Sequence, residues 1–119
     1  MRLRILALIA TLALSLLAAP LTAEAQKTGK VYRIGWLGVA SPSVASPFVK
    51  VFLEALRDLG WVERENFLME YRWAEGKLEH LPGLAGELAR LKVDVIVTAF
   101  PAATSAARQG TATIPIVMM

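Results

Sequence analysis

The chain has 119 residues, thirteen basic and ten acidic side chains, a single histidine and a net charge of +3. That length holds one domain at most, and basic residues that alternate with acids argue against a nucleic-acid partner. With no cysteine, disulfide staples, thiolate metal centres and a lipid-modified N-terminal cysteine are excluded.

The first 25 residues read as a secretory signal peptide. Arg2 and Arg4 precede an apolar run from Ile5 to Ala19, Pro20 breaks the run, and Ala23-Glu24-Ala25 forms a small-x-small cleavage site. The run falls short of the roughly 20 apolar residues that a spanning helix needs, so the membrane is expected to be met only through the cleaved leader. The two arginines are not adjacent, which points away from the twin-arginine route. Removing the leader leaves 94 residues with a net charge of about +2. The mature protein is expected in the periplasm.

Residues 26–30 are polar and read as a lead-in. Val31 to Val39, "VYRIGWLGV", is a short apolar run that reads as a buried strand. The loop "ASPSVAS" (Ala40 to Ser46) follows, and Ser46-Pro47 predicts a helix start. Phe48, Phe52, Ala55, Leu56 and Leu59 would form that helix's buried stripe, and Gly60 its stop. In "ENFLMEYRWAEG", Phe67, Met69, Tyr71 and Trp73 alternate with Leu68, Glu70 and Arg72, which predicts a half-covered strand at or near a sheet edge. A second helix is predicted from Leu81-Pro82 to Leu91, with Leu84, Leu88 and Leu91 inward. "VDVIVT" reads as a strand buried on both faces, followed by a short helix from Ala102 to about Gln109 and a last strand in "TIPIVMM".

The β-α-β-α-β-α-β order predicts an α/β fold: a parallel sheet with helices on both faces. Such sheets bind ligands beyond the carboxyl ends of their strands, where the strand order reverses. For an order beginning 2-1-3, the crevice lies between the first and third strands, at the loops Ala40–Ser46 and Ala99–Thr104. Both lead into helix N-termini, which favour anionic groups. The candidate ligand-binding residues are therefore Ser41, Ser43, Phe100, Ala102, Ala103 and Thr104. Each has a plainer reading: the serines as turn formers beside Pro42, Thr104 as solvent-facing, Phe100 as covered by a neighbouring lobe rather than a ligand. Trp36 is expected in the core, and Trp73 at most on the rim. His80 is expected to be solvated or capping, and Asp94 lies at the wrong end of its strand for a site. The chain carries no metal-ligand set, nucleophile elbow or phosphate-cradling loop, so neither an enzyme nor a cofactor is expected.

"RIGWLG", then "SPFVKVFLEALRDLGWVERENFLMEYRWAEGKLEHLPGLAGELARLKVDVIVT" and "PAATSAARQGTATIPIV", closely resemble the N-terminal part of a bacterial ABC-transporter substrate-binding protein family whose characterised members bind tryptophan, tyrosine or phenylalanine. The resemblance covers residues 31 to 117. It implies a type I periplasmic-binding-protein fold, in which two Rossmann-like lobes close on a solute and present it to an inner-membrane permease driven by a cytoplasmic ATPase. It also places first-lobe ligand loops at Ala40–Ser46 and Ala99–Thr104. Where the family has glycine and a small polar residue before Pro-Ala-Ala, this chain has Ala99-Phe100, which would reshape the pocket. The family continues well past the fourth strand, so residues 31–119 are expected to be an incomplete N-terminal lobe. The rival readings are an extracytoplasmic sensor lobe of a signalling protein, a non-functional truncated product, and a small secreted protein that dimerises along its open edge.

Overall fold

A computed structural model describes residues 29–119. The expected signal peptide, and residues 26–28 of the lead-in, lie outside the described residues. Four strands form one sheet in the order β2-β1-β3-β4: β1 is Tyr32–Gly38, β2 Phe67–Trp73, β3 Val95–Thr98 and β4 Ile116–Met118. Every pairing is parallel, with Tyr32 opposite Phe67, Ile34 opposite Val95 and Ile96 opposite Ile116. Parallel neighbours need crossovers, and three helices supply them: α1 (Pro42–Asp58), α2 (Leu81–Arg90, entered through a 3-10 turn at Leu78–His80) and α3 (Pro101–Gly110). The predicted α/β architecture and the 2-1-3 strand order are both present.

The two faces of the sheet are built from different residues. On one face Tyr32, Ile34, Trp36, Phe67, Val95 and Val97 pack with Leu56 and Trp61, and α1 lies over them. On the other, Leu37 and Ile96 pack against Leu81, Ala85 and Leu88 of α2 and Ala103, Ala106 and Ala107 of α3. The alternation predicted for β2 holds: Phe67, Met69, Tyr71 and Trp73 all join the α1 side. On the opposite side, Arg72 Nε donates to Glu87 Oε1 of α2 at 2.7 Å.

Helix α1 departs from expectation in two ways. It begins at Pro42, one turn before the Ser46-Pro47 start, so most of the expected Ala40–Ser46 loop is helical. Ser-Pro occurs twice here, and the first copy starts the helix: Ser41 is extended (φ −90°, ψ 162°) and Pro42 fills the first turn, where a missing N–H costs nothing. Pro47 is carried inside, removing the N–H that would bond the Ser43 carbonyl. The buried stripe also shifts. Phe48 (61 % exposed) and Ala55 face solvent, and Val49, Phe52, Leu53, Leu56 and Leu59 pack inward. Apolar residues cover more than half of this helix's circumference, so spacing alone leaves the phase open and the fit to Trp36 and Phe67 decides it.

The turn after α1 uses Gly60 at φ 95°, as its predicted stop requires. Asn66, 2 % exposed, then holds the connection to β2: its Oδ1 accepts from the Val62 N–H at 2.9 Å and its Nδ2 donates to the Gly60 carbonyl at 3.0 Å. The side chain of His80 is exposed and makes no capping bond, which leaves the solvated reading. At the amino end of β3, Asp94 accepts from the Arg33 N–H at 2.8 Å and lies 3.7 Å from Lys30. It ties β3 to β1 far from the strand-end loops.

Candidate functional site at the carboxyl ends of β1 and β3

After β1 the chain turns to the aromatic face to make α1, and after β3 it turns to the opposite face to make α3. The adjacent strands β1 and β3 thus send their chains in opposite directions, which is the reversal at which open α/β sheets bind ligands. The N-termini of α1 and α3 are set on either side of that point.

Neither N-terminus is compensated by its own residues. Ser41 occupies the N-cap of α1 without a side-chain capping bond, and Ser41 Oγ instead lies 3.2 Å from Ser43 Oγ. At α3 the N-cap is Phe100, extended at φ −134° and ψ 154°, a residue with no acceptor to offer. Both helices have proline in the first turn and no acidic residue there. The early N–H groups and the positive end of each helix dipole thus face the strand-end edge without a side-chain anion.

The six candidate residues separate by direction. Ser41 is half-buried and Ser43 exposed; both stand at the start of α1 rather than in a loop. Phe100 is 54 % exposed, a large apolar ring at the rim. Ala102 is half-buried beside it. Ala103 is fully buried among Leu37, Ile96 and Ala107, so only its N–H could reach a ligand. Thr104 points inward rather than to solvent: its hydroxyl donates to the Phe100 carbonyl at 3.1 Å. That uses its one hydrogen, so the buried Thr98 hydroxyl donates to Thr104 Oγ1 at 2.6 Å. This relay fastens the first turn of α3 to the last residue of β3, and Thr98 was not among the expected site residues. Trp36 is core, 1 % exposed, and Trp73 closes β2 stacked on Tyr71 at 5.8 Å with an 11° interplanar angle. Among the described residues, no group of His, Asp and Glu side chains is placed to hold a metal ion. No described helix is long and apolar enough to cross a membrane.

Solved structures share this fold. A substrate-binding protein with adhesive properties from Clostridium difficile, in its ligand-free, open form, superposes with a TM-score of 0.68 at 24% identity over 74% of this chain. A conserved domain protein from Vibrio cholerae gives 0.69 at 22% over 75%, and an ABC domain from Streptococcus pneumonia in complex with L-Trp gives 0.67 at 18% over 75%. What is shared is the fold: an α/β lobe on a parallel sheet with the strand order β2-β1-β3-β4. The chain spans 30% of the length of each of these proteins. No family model matches the chain, and no curated protein matches it.

Proposed function

We propose that the chain is the first-lobe part of an extracytoplasmic solute-binding protein of an ABC importer. On this reading it captures a small zwitterionic or anionic solute, with an aromatic amino acid the best fit, and delivers it to an inner-membrane permease. The observation that carries the reading is the pair of uncompensated helix N-termini flanking the strand reversal, with the exposed Phe100 ring at the start of α3. A carboxylate would accept from the early N–H groups of α1 and α3, and an apolar side chain would stack on Phe100. Membership of the tryptophan- and tyrosine-binding family, suggested by the sequence, belongs to the same proposal. So do the periplasmic location and the permease partner. Binding would drive a hinge closure of two lobes and involve no chemistry.

The test is calorimetric titration of the native product with tryptophan, tyrosine, phenylalanine and the decarboxylated analogue tryptamine. The carboxylate-bearing solutes should bind and tryptamine should not. Phe100→Ala should weaken aromatic solutes about threefold to tenfold, the worth of one aromatic contact. Tryptamine binding as tightly as tryptophan, or an unchanged affinity in the Phe100 variant, would overturn the proposal.

A further inference from the structure

A second recess runs along α1 and begins at Pro42 and Ser46, the helix start that also borders the strand-end site. Between α1 and β2 runs a cavity of about 600 Å³, floored by Phe67, Tyr71 and Trp73 and walled by Lys50, Glu54 and Arg57 of the helix. That volume and apolar floor suit a bound ligand. Trp61 and Glu63 close its lower end. Trp61 is 5 % exposed, and its indole N–H is a buried donor with no partner among the described residues.

Among the described residues β1 is the one strand paired with β2, so the outer side of β2 is a sheet edge, met at its start by an isolated bridge from Glu63 to Phe67. The hydrogen bonds show which backbone groups face outward. The Asn66 carbonyl and the Ala74 N–H point to β1, bonding Tyr32 and Gly38, whereas the Phe67 carbonyl points away and accepts from the Arg64 N–H at 2.7 Å. The alternation of a strand therefore turns the N–H and C=O groups of Met69, Tyr71 and Trp73 outward. Of these the Tyr71 carbonyl already accepts from Arg72 Nη1 at 2.7 Å. From Leu68 to Trp73 the edge offers about 20 Å of strand with a groove beneath α1 to receive alternate side chains.

Charge along the groove gives a direction. Helix α1 runs antiparallel to β2, so its positive N-terminus lies toward Trp73 and Lys50 lies a turn nearer that end than Glu54, while Glu54 and Glu63 outweigh Arg57 toward Phe67. We infer that this groove takes an extended peptide, added as a strand parallel to β2, with its carboxylate end beside Lys50 and a cationic end beside Glu54 and Glu63. The mode is strand addition at an exposed edge, in which main-chain bonds give affinity and the groove selects side chains. It shares the start of α1 with the strand-end site, since Pro42 and Ser46 also line the groove, but none of the six candidate ligand residues lines it, and it stands whether or not that site binds a solute. It also lies at the opposite edge of the sheet from β4.

The experiment uses the full chain and a six-residue peptide of alternating threonine and valine, with an N-terminal lysine and a free C-terminal carboxylate. Tryptophan emission should change saturably on titration, and amide hydrogen exchange should slow at Met69, Tyr71 and Trp73. Amidating the peptide's C-terminus, or the exposed substitution Lys50→Glu, should weaken binding about fivefold or more, the upper range of an exposed ion pair. Met69→Pro, which removes an outward N–H of a kind that edge strands can spare, should abolish it; should that variant fail to fold, Lys50→Glu carries the test. The inference is overturned by no saturable change, by protection elsewhere than β2, or by equal binding of the amidated peptide. It is also overturned by a peptide-independent dimer that shields the same three amides.

Discussion

The two faces of the sheet solve the same packing problem with opposite materials. The α2/α3 face is aliphatic and rich in alanine, with Ala74, Ala85, Ala103, Ala106 and Ala107 all buried. Small residues let two helices lie close to the sheet and to each other: a β-carbon on Gly110 would stand 3.1 Å from the Ala85 methyl, and one on Gly35 would touch Leu88 and Val93 at 3.0 to 3.2 Å. The α1 face is aromatic. Trp36 meets Phe52 edge-on at 5.5 Å, Tyr32 meets Trp61 at 5.6 Å, and Tyr71 stacks on Trp73. Large rings under one helix fill space unevenly, and the groove along β2 is the consequence. One face is built to be closed, and the other keeps room.

This contrast can be broken by truncating each face in turn. Leu88 is fully buried on the tight face, where two helices and the sheet leave little freedom to collapse. Leu88→Ala should cost about 3 to 4 kcal/mol in urea-induced unfolding. Val49, only partly buried on the wall of the groove, borders open space that solvent can fill. Val49→Ala should cost about 1 kcal/mol or less. Equal costs would mean that the aromatic face is as tightly packed as the other.

A smaller effect sharpens what holds the aromatic face together. Helix α1 reaches β2 through the turn that Asn66 organises, and that amide serves one donor and one acceptor of the turn backbone. Asn66→Ala leaves the Val62 N–H and the Gly60 carbonyl without these partners and should cost about 2 kcal/mol. Asn66→Asp, which keeps the acceptor and loses the donor, should fall between. The check is the urea midpoint of each variant, with near-ultraviolet circular dichroism to follow the Tyr32–Trp61 pair beside the turn.

How much of this was legible beforehand follows the same division. Strand β2 was readable because alternation is a two-residue signal, and a strand with one covered face displays it. Strand β3 was readable because a short, β-branched and nearly continuous apolar run reads as a strand buried on both faces. Element order predicted the parallel sheet, but the strand-end site followed only for an order beginning 2-1-3, which the sheet has. Helix α1 was harder: two Ser-Pro pairs compete as starts, and Val44, Phe48, Val49 and Val51 offer two phases. Only contact with Trp36 and Phe67 selects one. The inward turn of Thr104, the Thr98 relay and the bonding of Asn66 depend on residues brought together by tertiary structure. So does the groove, since spacing within β2 says which residues share a face but not how far above them α1 will sit.

The smallest effect reports on the groove itself. Tyr71 lies in its floor, and burial, helped by the nearby Glu63 carboxylate, raises its phenol above the ordinary value of 10.0. Below that value the phenol is neutral in both folded and unfolded chains, and the burial carries no penalty from ionisation. As pH rises past it, the unfolded chain gives up the proton first, so the folded state binds more protons and stability falls until the folded phenol also ionises. Urea titrations from about pH 9 to about pH 11 should therefore show a steeper loss for the native chain than for Tyr71→Phe, with the two nearly equal at neutral pH. Glu63→Gln should return part of the difference by removing the like charge, while leaving the larger contribution from burial. If a peptide strand lies in the groove as inferred, it covers the same ring. Adding it should then push the phenol's ultraviolet titration to still higher pH in the native chain, and by less in Lys50→Glu at the same subsaturating peptide concentration.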